Sequence, residues 1–149
     1  MMRALLDVNV LIALLDSAHV FHGQAMSWWE REIKHGWASC PITQNGCLRI
    51  MCHPKYPGPL PIGEVAERLM EAVKGPEHEF WPDDISLLGS TAFDWSCVLG
   101  HRQITDMYLL ALAVRHKGRF VTFDKRINIR AVPGADESNL VTISHNVAS

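Results

Sequence analysis

The chain carries no excess of positive charge: its 14 Lys and Arg are outweighed by 16 Asp and Glu, for a formal net charge of -2. That excludes a wholesale basic surface of the kind that grips long duplex DNA, so any nucleic-acid contact has to be local. Cysteine is sparse and unpatterned. Cys40, Cys47, Cys52 and Cys97 form no C-x-x-C pair, and His53 beside Cys52 completes no zinc spacing, so all four are expected to be reduced, mostly buried thiols. A membrane span is missing too, because the apolar opening MMRALLDVNVLIALLD is short and is broken by Asp7 and Asn9. The same two residues interrupt what would be the apolar core of a secretory signal, and no A-x-A site follows, which makes the cytoplasm the expected location. Internal repeats and low-complexity tracts are absent as well.

What is present is an ordinary globular composition, 48% hydrophobic and 20% charged over 149 residues, expected to fold as one domain spanning 1–149. Arg3 to Leu6 reads as a short buried strand, and VNVLIALLD has the spacing of a helix starting near Asn9. HVFHGQAMSWWEREIKHG predicts a second helix, with Ala25, Trp28, Trp29 and Ile33 on one side and Gly36 as its stop. WASCP is a candidate strand, ITQNGCLRIMCH a helix entered through Thr43, HPKYPGPLP a loop, and PIGEVAERLMEAVKG an amphipathic helix. A short strand is expected in EHEFW before Pro82, and STAFDWSCVLG reads as helical or looped. ITDMYLLALAVRHKG is apolar nearly all round, a central buried helix with Thr105 as its N-cap, and RFVTFD and NLVTI are two more strands. Strands alternating with helices imply an α/β sandwich, a parallel sheet covered on both faces.

In such a sheet ligands bind where the carboxyl ends of the strands meet loops and helix starts. Three acids fall there: Asp7 ends the first strand, Asp124 ends RFVTF, and Asp106 lies in the first turn of the helix between them in the chain. Each has an ordinary structural explanation on its own, as helix cap, dipole partner or turn residue. Together they form a cluster whose mutual repulsion a divalent cation relieves, and Mg²⁺, or Mn²⁺ in its place, suits one or two carboxylates with several waters. His19 and His22 read as solvated, Trp28 and Trp29 as packing residues rather than a base-stacking platform, and the basic cluster RHKGR as the complement of a helix end.

LLDVNVLIAL, WASCPITQNGCLRI, GHRQITDMYLLALA and RFVTFD, in this order and spacing, resemble the PIN-domain ribonucleases of VapC type, the toxins of VapBC toxin-antitoxin pairs, and FWPDD is similar to that family as well. The resemblance implies a PIN-like three-layer fold and a twofold dimer. It implies that Asp7, Asp106 and Asp124 are the metal-binding catalytic acids, and that Gln44 takes the place of a fourth acid, usually Glu. Asn9 and Thr122 match small polar residues of the family, and Arg49 matches a basic residue suited to a phosphate, with a surface salt bridge as its plain alternative. With Asn9, Arg49 and Thr122 on the substrate side, the expected activity is Mg²⁺-dependent endoribonuclease cleavage of RNA such as transfer RNA, restrained by a VapB-like antitoxin. Two other readings stay open at this point. One is a catalytically silent PIN-like domain that binds RNA or protein; the other is a receiver-type signalling domain, although Asp7-Val8-Asn9 lacks that fold's adjacent acids.

Overall fold

The structure, a computed structural model, describes residues 2–89 and 91–144. Five parallel strands form one sheet in the order β3-β2-β1-β4-β5: β1 Ala4–Leu6, β2 Trp37–Ser39, β3 His78–Phe80, β4 Arg119–Thr122 and β5 Leu140–Thr142. Five helices accompany them: α1 Val8–Leu15, α2 His22–Glu32, α3 Pro41–Met51, α4 Ile62–Ala72 and α5 Ile104–Arg115. Strand side chains alternate between two apolar clusters, as a two-residue period requires. Ala4, Leu6 and Val121 face α1 to α4, whereas Leu5, Ala38 and Phe120 face α5. This is the expected three-layer arrangement, and it explains why α5 is apolar all round: Met107 to Ala113 are buried without a break.

Helix boundaries differ from expectation in two places that matter for the site. The third helix starts at Pro41, not Thr43, because Cys40 takes the N-cap position and proline's fixed φ suits the first turn. Thr43 is turned inward instead, accepting from the Cys40 amide at 3.0 Å and donating to the Cys40 carbonyl at 3.1 Å. Thr105 is not an N-cap either. A 3₁₀ turn over His101–Gln103 feeds directly into α5, so the chain is already helical there and Gln103 is the cap residue. Gly36 does end the α2 region, after a 3₁₀ turn over Ile33–His35, with the positive φ of 83° that favours glycine. STAFDWSCVLG contains one 3₁₀ turn, Trp95–Cys97, while its first residue, Ser90, lies outside the described residues.

Trp28 is buried and Trp29 packs edge-on against Trp37 at 5.6 Å, in keeping with their reading as core residues. Of the four thiols, Cys40 and Cys47 are buried and Cys52 and Cys97 half-buried, and all are free. His19 and His22 are tied to local backbone: His19 Nδ1 accepts from the Phe21 amide at 3.0 Å, and His22 Nδ1 bonds the Ala13 carbonyl at 2.7 Å. The basic end of α5 meets an acid, with Arg115 pairing Asp84 at 3.1 Å and His116 stacked on Trp81. No helix among the described residues is long and apolar enough to cross a membrane.

Candidate active site

Because every strand runs the same way, their carboxyl ends share one edge, and β1 and β4 are direct neighbours there, Leu6 opposite Val121. Asp7 leaves β1 as the N-cap of α1, its Oδ1 accepting from the Val8 amide at 2.8 Å. Its other oxygen is held from across the sheet: Thr122 Oγ1 donates to Asp7 Oδ2 at 2.7 Å and accepts from the Asp124 amide at 3.1 Å. One hydroxyl therefore fixes two of the acids. Thr122 is fully buried, so it is a positioning residue and not the substrate contact expected from the sequence.

Burial and neighbouring charge set the acids apart. Burial pushes the Asp7 carboxyl above its ordinary value, against the pull of the Thr122 and Val8 hydrogen bonds, and the charge of Asp124 adds to the rise. Asp106, on the first turn of α5, is pushed up to about 7, first by loss of water and then by Asp7 and Asp124. Asp124 moves the other way, held down by Arg126, whose Nε and Nη2 donate to it at 3.1 and 3.3 Å. The acids are thus displaced in opposite directions, Asp7 and Asp106 upward by burial and Asp124 downward by Arg126.

Two clefts open onto these acids. One, of about 240 Å³, has Asp106 and Asp124 in its wall together with His101, Arg102, Arg126 and Asn128. The other has Asp7 and Asn9 on one side and Asn45, Arg49 and Asp83 on the other. Gln44 is in neither. Its Nε2 donates to Ser39 Oγ at 3.0 Å, and the α3 residues that share the cleft with Asp7 are Pro41, Ile42, Asn45, Gly46, Arg49 and Ile50. Asn45, about 100° around the helix from Gln44, is the one of the two that lines the cleft with Asp7. Arg49 reaches this cleft with its Nε donating to Asn45 Oδ1 at 2.9 Å, so its partner is an amide and not the acid of a salt bridge. Sequence reading missed Asn45, Asp83 and Arg126. FWPDD had pointed to the region of Asp83, and FDKR contained Arg126, but neither fragment says which way a side chain turns.

The donors suit a hard divalent cation in kind: the acids are carboxylates with amides beside them, and burial first, then the neighbouring acids, raises the Asp106 carboxyl to about 7. They are not gathered into a tight cage. Among the described residues no group of three or more His, Cys, Asp or Glu is set closely enough to hold one ion. Direct ligation by all three acids, as the sequence led us to expect, is therefore not preassembled, and the arrangement fits an ion held by one or two carboxylates with water completing its shell.

Residues 4–133 match the model of the PIN domain. The chain is 51% identical over 142 residues to Ribonuclease VapC44 of Mycobacterium tuberculosis, a match that covers 95% of this chain and 100% of that protein. The chain belongs to the VapC-type PIN-domain family. Ribonuclease VapC39 of the same organism is 42% identical over 91% of the chain and 99% of its own length, and VapC38 is 40% identical over 81% and 84%. Among solved structures, VapBC2 from Rickettsia felis bound to a promoter DNA fragment superposes with a TM-score of 0.61 over 96% of this chain and 100% of that one; at 12% identity this speaks for the PIN fold alone. PIN membership removes the receiver-type reading, and VapC-type PIN nucleases depend on divalent metal as a class.

Proposed function

We propose that this protein is a divalent-metal-dependent endoribonuclease, the toxin of a type II toxin-antitoxin pair, working with Mg²⁺ in the cell and able to accept Mn²⁺. One observation carries the reading: acids from three separate chain segments meet at one sheet edge, where Asp106 is driven to about 7 by the absence of water and by its neighbours. A cluster so costly without a cation has a reason to exist if it binds one.

Asp7 and Asp106 would hold the ion, with Asp124 reaching it directly or through water. Bound there, the ion would polarise a phosphoryl oxygen and make water acidic enough for in-line attack. Asp7 needs no rearrangement, since Thr122 and Val8 already fix both of its oxygens. Asp106 gives up the proton its carboxyl shares near neutrality and so becomes a full charge in the loaded site. Asn9 and Asn45 offer amide donors along the wall, and Arg49, exposed on the rim, is placed for the phosphate beside the cut. Transfer RNA is the substrate class we favour, on resemblance.

The partner we propose is a VapB-like antitoxin that lays apolar side chains on this surface and directs an Arg or Lys toward the acids. Exposed Ile50 of α3 and Ile62 and Met70 of α4 offer such a surface. A homodimer and a cytoplasmic location complete the reading; four free thiols suit a reducing compartment.

The test is RNA cleavage by purified protein with Mg²⁺, with Mn²⁺ and with chelator, alongside Asp7→Asn and Asp106→Asn. Cleavage that needs metal and both acids is expected. Activity in chelator, or full activity in either variant, overturns the assignment, and RNA binding without cleavage under every condition would make the protein a silent PIN domain.

A further inference from the structure

Arg126 plays no part in the site as read from sequence, yet it is bonded to one of its acids. Three contacts join it to Asp124: the backbone amide donates to Oδ1 at 2.8 Å, Nε to the same oxygen at 3.1 Å and Nη2 to Oδ2 at 3.3 Å. The guanidinium lies in the wall of the cleft that holds Asp106, close enough for its charge to favour that carboxylate's ionised form too. Among the described residues it is the cation paired with a cleft acid. The pair is lopsided in exposure. Arg126 has 76% of its side chain in water and Asp124 only 28%, so the guanidinium can leave at little cost while the carboxylate stays in place.

We infer that Arg126 is an exchangeable counter-ion: it occupies Asp124 while the site is empty of metal, yields that carboxylate to the incoming divalent cation, and then binds a phosphate of the RNA at the same cleft. Anchoring of the turn by the backbone amide, which the exchange leaves intact, keeps the freed side chain within reach. A guanidinium's planar fork suits a phosphate oxygen pair as well as it suits a carboxylate.

This inference rests on the reading of the acids as a metal site, and two measurements separate their failures. Mg²⁺ titration by calorimetry on metal-free wild type, Asp106→Asn and Arg126→Met comes first. Arg126→Met keeps the stem and the backbone bond, and it is expected to bind Mg²⁺ about threefold more tightly than wild type, as expected for removal of an exposed competitor. Asp106→Asn is expected to lose binding. If Asp106→Asn binds as wild type does, the site reading fails; if it loses binding while Arg126→Met is unchanged or weaker, the exchange fails alone.

The second measurement is binding of a single-stranded phosphorothioate oligoribonucleotide in saturating Mg²⁺ as salt is varied. Arg126→Met should lower the slope of log affinity against log salt by about 0.7, the loss of one phosphate contact, and Arg126→Lys should restore most of it. An unchanged slope in Arg126→Met overturns the phosphate role and the exchange with it.

Discussion

Replacing Asp106 with Asn should make the metal-free protein more stable, and the gain should depend on pH in a defined direction. Asp106 is held near 7 in the folded chain against an ordinary value of 3.8. A carboxyl raised in this way binds its proton more tightly folded than unfolded. The folded state is thus penalised once the unfolded carboxyl ionises, increasingly so from about pH 4 up to 7, and fully above that. Converting the whole displacement gives an upper bound of about 4 kcal/mol. The carboxyl is only part-buried, and screening by water leaves about 1–2 kcal/mol at pH 8. Asn keeps the shape and removes the charge. Urea unfolding in chelator should therefore place Asp106→Asn about 1–2 kcal/mol above wild type at pH 8, with the gap shrinking to a few tenths of a kcal/mol near pH 4. Saturating Mg²⁺ should reverse the order, because only wild type gains a ligand. A gap that is absent at pH 8, or the same at both pH values, would refute the electrostatic account of the site.

Thr122→Val should leave Asp7 Oδ2 without its donor in a buried setting, at a cost of about 1–3 kcal/mol in thermal or urea unfolding. The same change raises the Asp7 carboxyl further, so the acidic limb of the cleavage pH profile should move to higher pH. Gly46→Ala places a Cβ 2.7 Å from Val8 Cγ2, where α3 crosses α1. It should cost about 1–3 kcal/mol, and Val8→Ala in the same chain should recover much of that, read by unfolding of both variants. Asn45→Glu should tighten Mg²⁺ binding in calorimetry more than Gln44→Glu, since only Asn45 faces Asp7; the opposite order would mean that α3 is rotated from the orientation described.

The fold was legible because its signals are short-range. The short apolar run before Asp124 and the long all-round apolar stretch of α5 are read from length and residue type, and these need no knowledge of neighbours. The acids could be placed on one edge by the same means, since the end of a parallel strand is a topological position. What stayed hidden depended on rotation and on pairing. Gln44 and Asn45 are adjacent in sequence, and only the packing of α3 in the folded chain shows that Asn45 lines the cleft with Asp7 while Gln44 bonds Ser39. Thr122 was read as facing substrate because a hydroxyl carries no mark of its direction, whereas the strand turns it into the sheet interior to join Asp7. Arg126 was invisible because its contact with Asp124 spans two residues in a turn, where no periodic pattern exists to be read.

The bond between Thr122 and Asp7 spans 115 residues of chain. β1 is made first, but its central place in the sheet is not filled on both sides until β4 has been synthesised. A growing polypeptide therefore carries Asp7 for most of its time on the ribosome without the strand that would arm it. If the acids act as proposed, a product cut short before Asp124 lacks the completed acid group and is harmless to the RNA around it.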